Sequence, residues 1–405
     1  MANVTTVRGR SNLSTNRELL DFAEGISLLD PNENPFTLMS MKFKTKTSGN
    51  VKHSWLRDEL VPESDTVDTT TACVTAGTTL YVDNGDRWAI GDIFMREATH
   101  ETCLITARTS DALTIVRDYG ATSGAYTALA DEFDDEDVIT WIGNAFEDAF
   151  ALPALKSTTE TQIDNWCQLQ RTPWAMGELA QAAAMRGEDD WVFQDRKAAI
   201  THLRKLERQH IFGHPMPGDA GIYATTNDNP ATAGGLLHYL TGGTSFDGTG
   251  SDRLVSNASI THQEFLDYLE AIFEYGSSRR VAFVAPLFRS ALDYWGISKL
   301  NTFSETTKYG MKIATWLSSH GEISFITHKM LKDAGGDDGA YAFFVDMDDI
   351  SQVIYQSFPT QKRTLDPYAA DGTMAKKAEW LTCSSLEVRE PKKHGCIYGT
   401  TSYAS

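Results

Sequence analysis

Residues 189–214, DDWVFQDRKAAITHLRKLERQHIFGH, form the longest uninterrupted helical pattern in the chain. Asp189 and Asp190 stand in the first turn, where the helix dipole favours carboxylates, and Gly213 and Pro215 end the pattern. At about 1.5 Å per residue the helix would be roughly 35 Å long. One apolar stripe is predicted at helical spacing, formed by Val192, Ala199, Leu203, Leu206 and His210.

The rest of this helix is charged and carries Arg196, Lys197, Arg204, Lys205, Glu207 and Arg208. A one-sided stripe on so long and charged a helix is typical of a strut laid across a protein surface. The same pattern also fits an ordinary amphipathic helix of a globular core, and periodicity leaves both interpretations open.

Composition indicates a folded, acidic protein. Of the 405 residues, 41% are hydrophobic and 10% aromatic, so two or three domains with a large core are expected. The net charge of −19 disfavours broad non-specific binding to nucleic acid but is compatible with a local basic patch. The N-terminal MANVTTVRGRSNLS lacks the apolar core of a signal peptide, and no apolar run reaches the roughly 20 residues of a membrane span.

Cysteine usage points to a reducing compartment. The five cysteines are Cys73, Cys103, Cys167, Cys383 and Cys396. They are odd in number, widely scattered and form no CxxC pair, so neither a disulfide framework nor a zinc knuckle is indicated.

The segments before the long helix differ in character. Residues 1–46 are polar and predict an extended arm with a single helical turn. Short β-type runs separated by turn residues predict a small all-β module at about 72–142, whose acidic run 131–137 is expected to be a solvated loop, with calcium binding as the alternative. Residues 161–170 are strand-like and are expected to pair with 52–60.

The segments after the long helix predict a mixed α/β body. In residues 234–350, a capping box at Thr261 and Glu264 starts one helix, and Pro286 starts another that is expected to end at Gly296. Strands are expected at 281–285, 311–317, 322–327, 341–345 and 350–355. Residues 356–405 continue as short strands.

The sequence contains no complete catalytic or metal motif that we recognise. A phosphate loop is missing, and Gly248-Thr-Gly250 begins a dinucleotide fingerprint that fails because Arg253 replaces its third glycine. His202 and His210 would lie roughly 12 Å apart along one helix, too far to share a metal, and these two and His214 are expected to be surface or packing residues. The cluster Asp346, Asp348 and Asp349 fits a solvated loop better than a cation site.

These patterns describe an acidic, multi-part α+β protein. An extended arm and a long excursion cannot bury their own surfaces, and such elements usually pack on neighbouring copies. The residues therefore favour a self-assembling structural protein over an enzyme.

Several stretches resemble the major capsid proteins of tailed bacteriophages with the Hong Kong 97-like (Johnson) fold, most closely a podophage-type group with a β insertion in the extended loop. They are Asn34-Pro-Phe-Thr-Leu-Met39, VKHSWLRDEL at 51–60, the segments 161–172 and 196–213, Gly234-Gly-Leu-Leu237, and KKHGCIYG at 392–399, the last resembling the final peripheral-domain strand. Residues 1–46 would then be the N-arm, and 47–172 the extended loop with its insertion at about 72–142. The peripheral domain would be 173–233 with a spine helix at about 189–213, the axial domain 234–350, and 351–405 a return to the peripheral domain.

The resemblance implies hexamers and pentamers of an icosahedral shell around double-stranded DNA, which is enclosed rather than specifically bound. It implies no catalysis, no cofactor, no metal and no membrane, and it places the chain in the virion after assembly in the host cytoplasm. Scaffolding, portal and cement proteins are expected partners. The β insertion is expected on the outer surface, where it would strengthen contacts between capsomers.

Seven residues are predicted to form assembly interfaces: Trp55, Arg57, Glu59, Arg196, Arg204, Lys205 and Arg208. The basic residues of the long helix are expected to pair with acidic groups of neighbouring subunits, so charge reversal at Arg204 and Arg208 should reduce shell yield. Lys42, Lys44 and Lys52 lie in plausible regions for an isopeptide cross-link, but no motif supports one.

Three alternatives remain open. An encapsulin-like compartment shares the fold, but the β insertion and the lack of a recognisable cargo-binding feature disfavour it. A phage-encoded hydrolase with an unrecognised site is disfavoured by the missing motifs. A decoration or tail protein would rarely need so long a helix.

Overall fold

A computed structural model describes residues 34–58, 60–68, 78–120, 132–146, 156–182, 189–218, 230–241, 254–299, 304–308, 311–332, 340–365 and 374–404. Their Cα positions divide into two compact units. The body comprises the described residues up to Trp55 and from Asp164 onward, and the insert comprises those between Leu56 and Ile163. The insert thus lies inside the predicted 47–172 loop.

The described helices are α1 (Pro35–Phe43), α2 (Glu178–Ala182), α3 (Asp190–Phe212), α4 (Leu236–Leu240), α5 (His262–Phe273) and α6 (Pro286–Lys299). The predicted long helix is α3: the Asp189 carboxylate accepts a hydrogen bond from Trp191 N at 3.1 Å, and Gly213 follows its last turn. The predicted end of α6 at Gly296 is wrong, because an interior glycine weakens a helix by about 1 kcal/mol without terminating it. None of the helices that the structure describes is long and apolar enough to cross a membrane.

The described strands, in chain order, are β1 (Thr45–Ser48), β2 (Lys52–Arg57), β3 (Ser64–Thr66), β4 (Thr79–Tyr81), β5 (Asp92–Arg96), β6 (Thr102–Thr109), β7 (Ala112–Val116), β8 (Val138–Asn144), β9 (Thr161–Trp166), β10 (Gln168–Gly177), β11 (Leu254–Ser256), β12 (Ser259–Ile260), β13 (Arg279–Val284), β14 (Ser304–Lys308), β15 (Met311–Leu317), β16 (Glu322–Thr327), β17 (Ala340–Val345), β18 (Ile350–Tyr355), β19 (Gln361–Leu365), β20 (Ala375–Val388), β21 (Gly395–Thr400) and β22 (Ser402–Tyr403).

The first body sheet has the strand order β1-β18-β20-β10, with β19 also paired to β20. Strand β20 is antiparallel to β10 over ten residue pairs, from Gln168 opposite Ser384 to Gly177 opposite Ala375. Helix α3 packs against β10 and β20. This sheet therefore joins strands from the start, middle and end of the chain under the long helix.

The second body sheet has seven strands in the order β11-β21-β17-β13-β16-β15-β14. Every residue of β17 is buried, as expected for a central strand of an apolar sheet. Strand β21 lies in the segment 351–405, for which the resemblance implies a return to the peripheral domain. It pairs antiparallel with β17 of the seven-stranded sheet and not with the strands of the first body sheet.

The segment before β1 is more helical than the predicted extended arm with a single helical turn. Residues 35–43 form α1, in which Phe36 and Met39 are buried. Pro35 fits the first helical position because its missing N–H is not needed there. The rest of the predicted arm, 1–33, lies outside the described residues.

The insert is a small closed β structure with its own core. Its sheet order is β3-β8-β5-β6-β7-β4, and Asp68 N→Tyr81 O and Asp83 N→Thr66 O bonds join the two edges. The buried core consists of Val67, Leu80, Val82, Trp88, Phe94, Cys103, Ile105, Leu113, Ile115, Phe133 and Ile139. The module begins at Ser64 rather than at about 72. The sequence does not indicate this earlier start, because β3 is too short to give a periodic pattern.

The acidic run of the insert is only partly solvated. The Asp137 carboxylate contacts the buried Arg96 guanidinium at 2.6 Å, whereas the Asp134 side chain is 84% exposed. The expectation of a solvated loop is therefore wrong for Asp137.

The chain leaves and re-enters the body through a ribbon of two strands, β2 and β9. The expected pairing of 161–170 with 52–60 is confirmed for Thr161–Trp166. It is wrong for 168–170, which pair with β20. Lys52 Nζ contacts the Asp164 carboxylate at 2.7 Å, and Ser54 Oγ donates to the same side chain at 2.7 Å.

Candidate assembly surfaces

The buried face of α3 is more polar than the predicted apolar stripe. Val192 is 45% exposed, and Ala199 and Leu203 are only half-buried, so the stripe is wrong except at Leu206 and His210. The residues that α3 buries are Trp191, Ala198, His202, Leu206, Glu207, Gln209, His210 and Ile211. Periodicity missed the polar members because buried polar side chains are recognised only through their partners.

Glu207 connects three distant segments. Its carboxylate accepts hydrogen bonds from Phe36 N at 2.9 Å and Thr37 N at 2.7 Å, which lie in the first turn of α1. It also contacts His328 Nε2 at 2.7 Å, and both of these side chains are buried. Because Asn34 makes no side-chain cap, Glu207 serves as the cap of α1 from another helix.

The environment of Glu207 favours its charged form. Burial alone would raise the pKa of the carboxyl, but the bonds from His328 and Thr37 outweigh burial and leave the pKa below its usual range. The carboxylate is thus held charged inside the body.

Three other polar residues of α3 bind the first body sheet. His202 Nε2 lies 2.8 Å from Thr382 Oγ1, and Gln209 Nε2 donates to Ser384 O at 3.0 Å. His210 lies between Thr37 Oγ1 at 3.4 Å and Ser384 Oγ at 3.5 Å. Burial lowers the pKa of His202 and of His210 to about 4, so both are neutral at neutral pH. Both histidines are packing residues, as the sequence predicted.

Glu387 of β20 anchors the base of the β2–β9 ribbon. Its buried carboxylate contacts Lys46 Nζ at 2.8 Å, His53 Nε2 at 2.8 Å and Arg389 Nε at 2.6 Å. Burial would raise the pKa of Glu387, but these hydrogen bonds lower it to about 2. Strand β2 is therefore fixed to β20 through His53, and β1 through Lys46, by charge-assisted hydrogen bonds.

The exposed face of α3 is basic. Its exposed positions from 196 to 208 are Arg196, Lys197, Thr201, Lys205 and Arg208, and Arg204 is half-buried beside them. Lys205 Nζ donates to Arg171 O at 3.4 Å and Thr172 Oγ1 at 3.3 Å. The structure therefore brings the four predicted basic residues of α3 to one region of this helix.

The three predicted residues of the rising strand do not form one surface. Trp55 is only 6% exposed, and its ring packs on Tyr239 with centroids 5.6 Å apart. Arg57 is half-buried, and Glu59 lies outside the described residues. Trp55 therefore contributes to packing within its own chain.

An apolar surface lies at the end of β10. No side chain of α2 is buried, and Leu179 is 84% exposed. Glu178 N donates to Met374 O at 3.3 Å, and Met374 is 59% exposed. A helix of five residues has too few internal hydrogen bonds to be stable alone. Leu179 and Met374 are thus exposed apolar side chains on this short helix and on the segment bonded to it.

The aspartate cluster after β17 is not a solvated loop. Asp346 is buried against Arg280 Nη1 at 3.0 Å, and the Asp349 carboxylate contacts Lys393 Nζ at 2.8 Å. Across the described ranges, no group of three or more histidine, cysteine, aspartate or glutamate side chains is placed to hold a metal.

Comparison with known proteins identifies the family. The sequence model of the SU10 major capsid protein family matches residues 4–401. A major capsid protein of Pseudomonas phage PaMx41 is 23% identical over 322 residues, which cover 77% of this chain and 73% of the phage protein.

Solved structures resemble the chain more distantly. A capsid protein of a native GTA particle is 8% identical with a TM-score of 0.46, covering 99% of this chain and 100% of its own. The capsid structure of cyanophage P-SCSP1u is 8% identical with a TM-score of 0.45, and the match covers 98% of this chain and 97% of the cyanophage chain. An encapsulin complex from Synechococcus elongatus PCC 7942 is 11% identical with a TM-score of 0.42, and the match covers 62% of this chain and 80% of the encapsulin chain. All three TM-scores are below 0.5, so the family match alone is the basis for identification.

Proposed function

This chain belongs to the SU10 major capsid protein family, and from that premise we propose that it forms hexamers and pentamers of an icosahedral shell enclosing double-stranded DNA. The observation that carries the proposal is the family match over residues 4–401. A capsid protein is located in the virion, and its role is structural rather than enzymatic.

The subunit is proposed to follow the Hong Kong 97-like layout. Residues 1–46 would be the N-arm and 47–172 the extended loop, which leaves and returns through β2 and β9. Helix α3 would be the spine of the peripheral domain, which is formed with the five-stranded sheet. The seven-stranded sheet, including β21, would belong to the axial domain. The family match over residues 4–401 favours a viral capsid over an encapsulin-like compartment.

The proposed assembly partners follow from the same function. Assembly would take place in the host cytoplasm with portal and scaffolding proteins, and cement proteins would bind the finished shell. The insert would lie on the outer surface and strengthen contacts between capsomers, which its independent core allows.

Expression of the full chain tests this function directly. Size-exclusion chromatography with negative-stain microscopy is expected to show closed shells, tubes or free capsomers. A discrete monomer or dimer that turns over a substrate would contradict it.

The basic face of α3 is proposed to contact acidic groups of a neighbouring subunit. Arg208→Glu should lower shell yield about tenfold or more, because replacing one attraction by one repulsion exceeds the ~1.4 kcal/mol that a factor of ten requires. Shell yield is measured by sedimentation at low salt, where surface charges are least screened.

Lys332→Glu provides the matched control, since Lys332 is an exposed cation outside α3. It should leave the yield unchanged. Normal shells of Arg208→Glu with a defect only in DNA packaging would show instead that this face contacts the nucleic acid.

The apolar surface of α2 is proposed to be covered by a neighbouring copy. Leu179→Asp should leave the thermal midpoint of the unassembled chain within about 1 °C, because exposed substitutions rarely change stability by more than ~0.5 kcal/mol. Shell yield should fall, since a carboxylate would enter an apolar contact. Leu317→Asp, at a leucine that is 78% exposed on β15, is the comparison. Equal yields from the two variants would argue against the contact at α2.

A further inference from the structure

Two histidines face each other beyond the C-terminal end of α3. His214 Nδ1 and His238 Nδ1 are 3.1 Å apart. The two rings are nearly perpendicular, with centroids 4.6 Å apart and planes at 86°. His214 is exposed and His238 is half-buried, so one side of the pair is open to solvent.

The segments that carry these histidines are fixed to each other by backbone bonds. Gly235 N donates to Gly213 O at 2.8 Å, and Met216 and Thr232 exchange two N–H···O bonds of 3.1 Å. Thr232 Oγ1 also donates to the carbonyl of His214 at 2.7 Å. The two backbones are therefore held in register close to the imidazoles, so little ordering remains to be done when a ligand binds.

The glycines make this junction tight. A Cβ at Gly213 would lie 2.3 Å from Ala233 O, and one at Gly235 would lie 2.6 Å from Gln209 O. Only glycine allows these backbones to approach so closely. The spacing of the histidines is thus set by the fold.

We propose that His214 and His238 form a two-imidazole binding site for a divalent transition-metal ion of the zinc type. Bonds of about 2.0–2.1 Å from both Nδ1 atoms to one ion would meet at about 95–102° for the observed spacing of 3.1 Å. That angle lies between the octahedral and tetrahedral ideals. Imidazole nitrogen is a preferred ligand of zinc, copper and nickel, and water would complete the coordination on the open side.

The ion would bridge the end of α3 to α4. In the metal-free chain a single hydrogen bond between the two rings occupies the same place. Because the ion binds the folded arrangement, Zn²⁺ at 100 times its Kd raises the ratio of folded to unfolded chain about 100-fold. The site would make the stability of the subunit depend on the metal content of its surroundings.

Titration of the untagged full-length chain with zinc chloride in a calorimeter tests the site. One ion per chain is expected for the wild type, and His214→Ala and His238→Ala should each weaken the Kd at least tenfold. His320→Ala, at an exposed histidine elsewhere in the body, should bind as the wild type does. His214→Ala is the decisive variant, because its exposed side chain can be removed without disturbing the core.

A spectroscopic measurement identifies the ligands independently of affinity. With Cu²⁺ as the probe, electron paramagnetic resonance should show hyperfine coupling to two nitrogens in the wild type and to fewer in His214→Ala. Unchanged zinc affinity and unchanged coupling in both alanine variants would overturn the proposal. Loss of binding in His320→Ala alone would place the metal elsewhere and overturn it as well.

Discussion

Replacing Glu207 by alanine is expected to destabilise the subunit by about 3–5 kcal/mol, because its buried carboxylate is the shared acceptor of three buried groups. The change leaves the N–H groups of Phe36 and Thr37 without an acceptor and His328 Nε2 without its carboxylate, all in the interior. Each buried group left unpaired costs about 1–3 kcal/mol. The free energy of unfolding of the unassembled chain in urea measures the loss.

Arg208→Ala on the same helix is the matched control, because Arg208 is exposed and its removal should cost no more than ~0.5 kcal/mol. Glu207→Gln keeps the shape and one acceptor, so its stability should fall between the alanine variant and the wild type. If Glu207→Ala unfolds at the same urea concentration as Arg208→Ala, Glu207 is not the cap of α1.

Local signals were sufficient to predict the boundaries of α3 and many of the strands. Asp189 binds the backbone at the start of the helix and Gly213 follows its end, and both are recognisable as single residues with a known capping preference. The central strands β13 and β17 are short apolar runs between turn residues, which is the pattern of fully buried strands.

The polar contacts could not be predicted because they join residues far apart in the chain. Glu207 lies among the charged positions of α3, and nothing local distinguishes it from the exposed Arg208 beside it. Its partners Thr37 and His328 are 170 and 121 residues away. For the same reason the predicted interface mixed residues with different roles: the α3 cations reach the surface, whereas Trp55 packs inside. The pairing of β21 with β17 likewise has no local signal, because it depends on the whole sheet.

Lowering the pH from 6.5 to 4 is expected to destabilise the subunit through histidines that are buried in neutral form. Burial lowers the pKa of His210 and of His394 from 6.5 to about 4. Between these values the unfolded chain binds a proton at each histidine and the folded chain does not, so stability falls as the pH falls. The slope is about 1.4 kcal/mol per pH unit for each histidine, and the total is about 3 kcal/mol for each.

Hydrogen bonding gives the physical reason at His394. Asp346 N donates to Nδ1 at 3.0 Å, and Nε2 donates to Arg389 O at 3.2 Å, so the imidazole must keep a lone pair on Nδ1. Protonation of Nδ1 would place its N–H directly against the backbone N–H of Asp346. The negative charges of Asp346 and Asp349 raise the pKa of His394, and the positive charge of Arg280 lowers it. Burial, which lowers the pKa, is the largest of these influences.

His394→Asn separates this effect from the titration of other groups. The amide oxygen of asparagine can accept the bond from Asp346 N but binds no proton, so the slope of unfolding free energy against pH should become smaller by about 1.4 kcal/mol per unit near pH 5. His320→Asn, at an exposed histidine, should leave the slope unchanged. Urea unfolding of the full-length unassembled chain at pH 7, 6 and 5 measures all three slopes. Parallel curves for the wild type and His394→Asn would mean that His394 is protonated in the folded subunit. The assignment of His394 as a neutral imidazole between Asp346 and Arg389 would then be wrong.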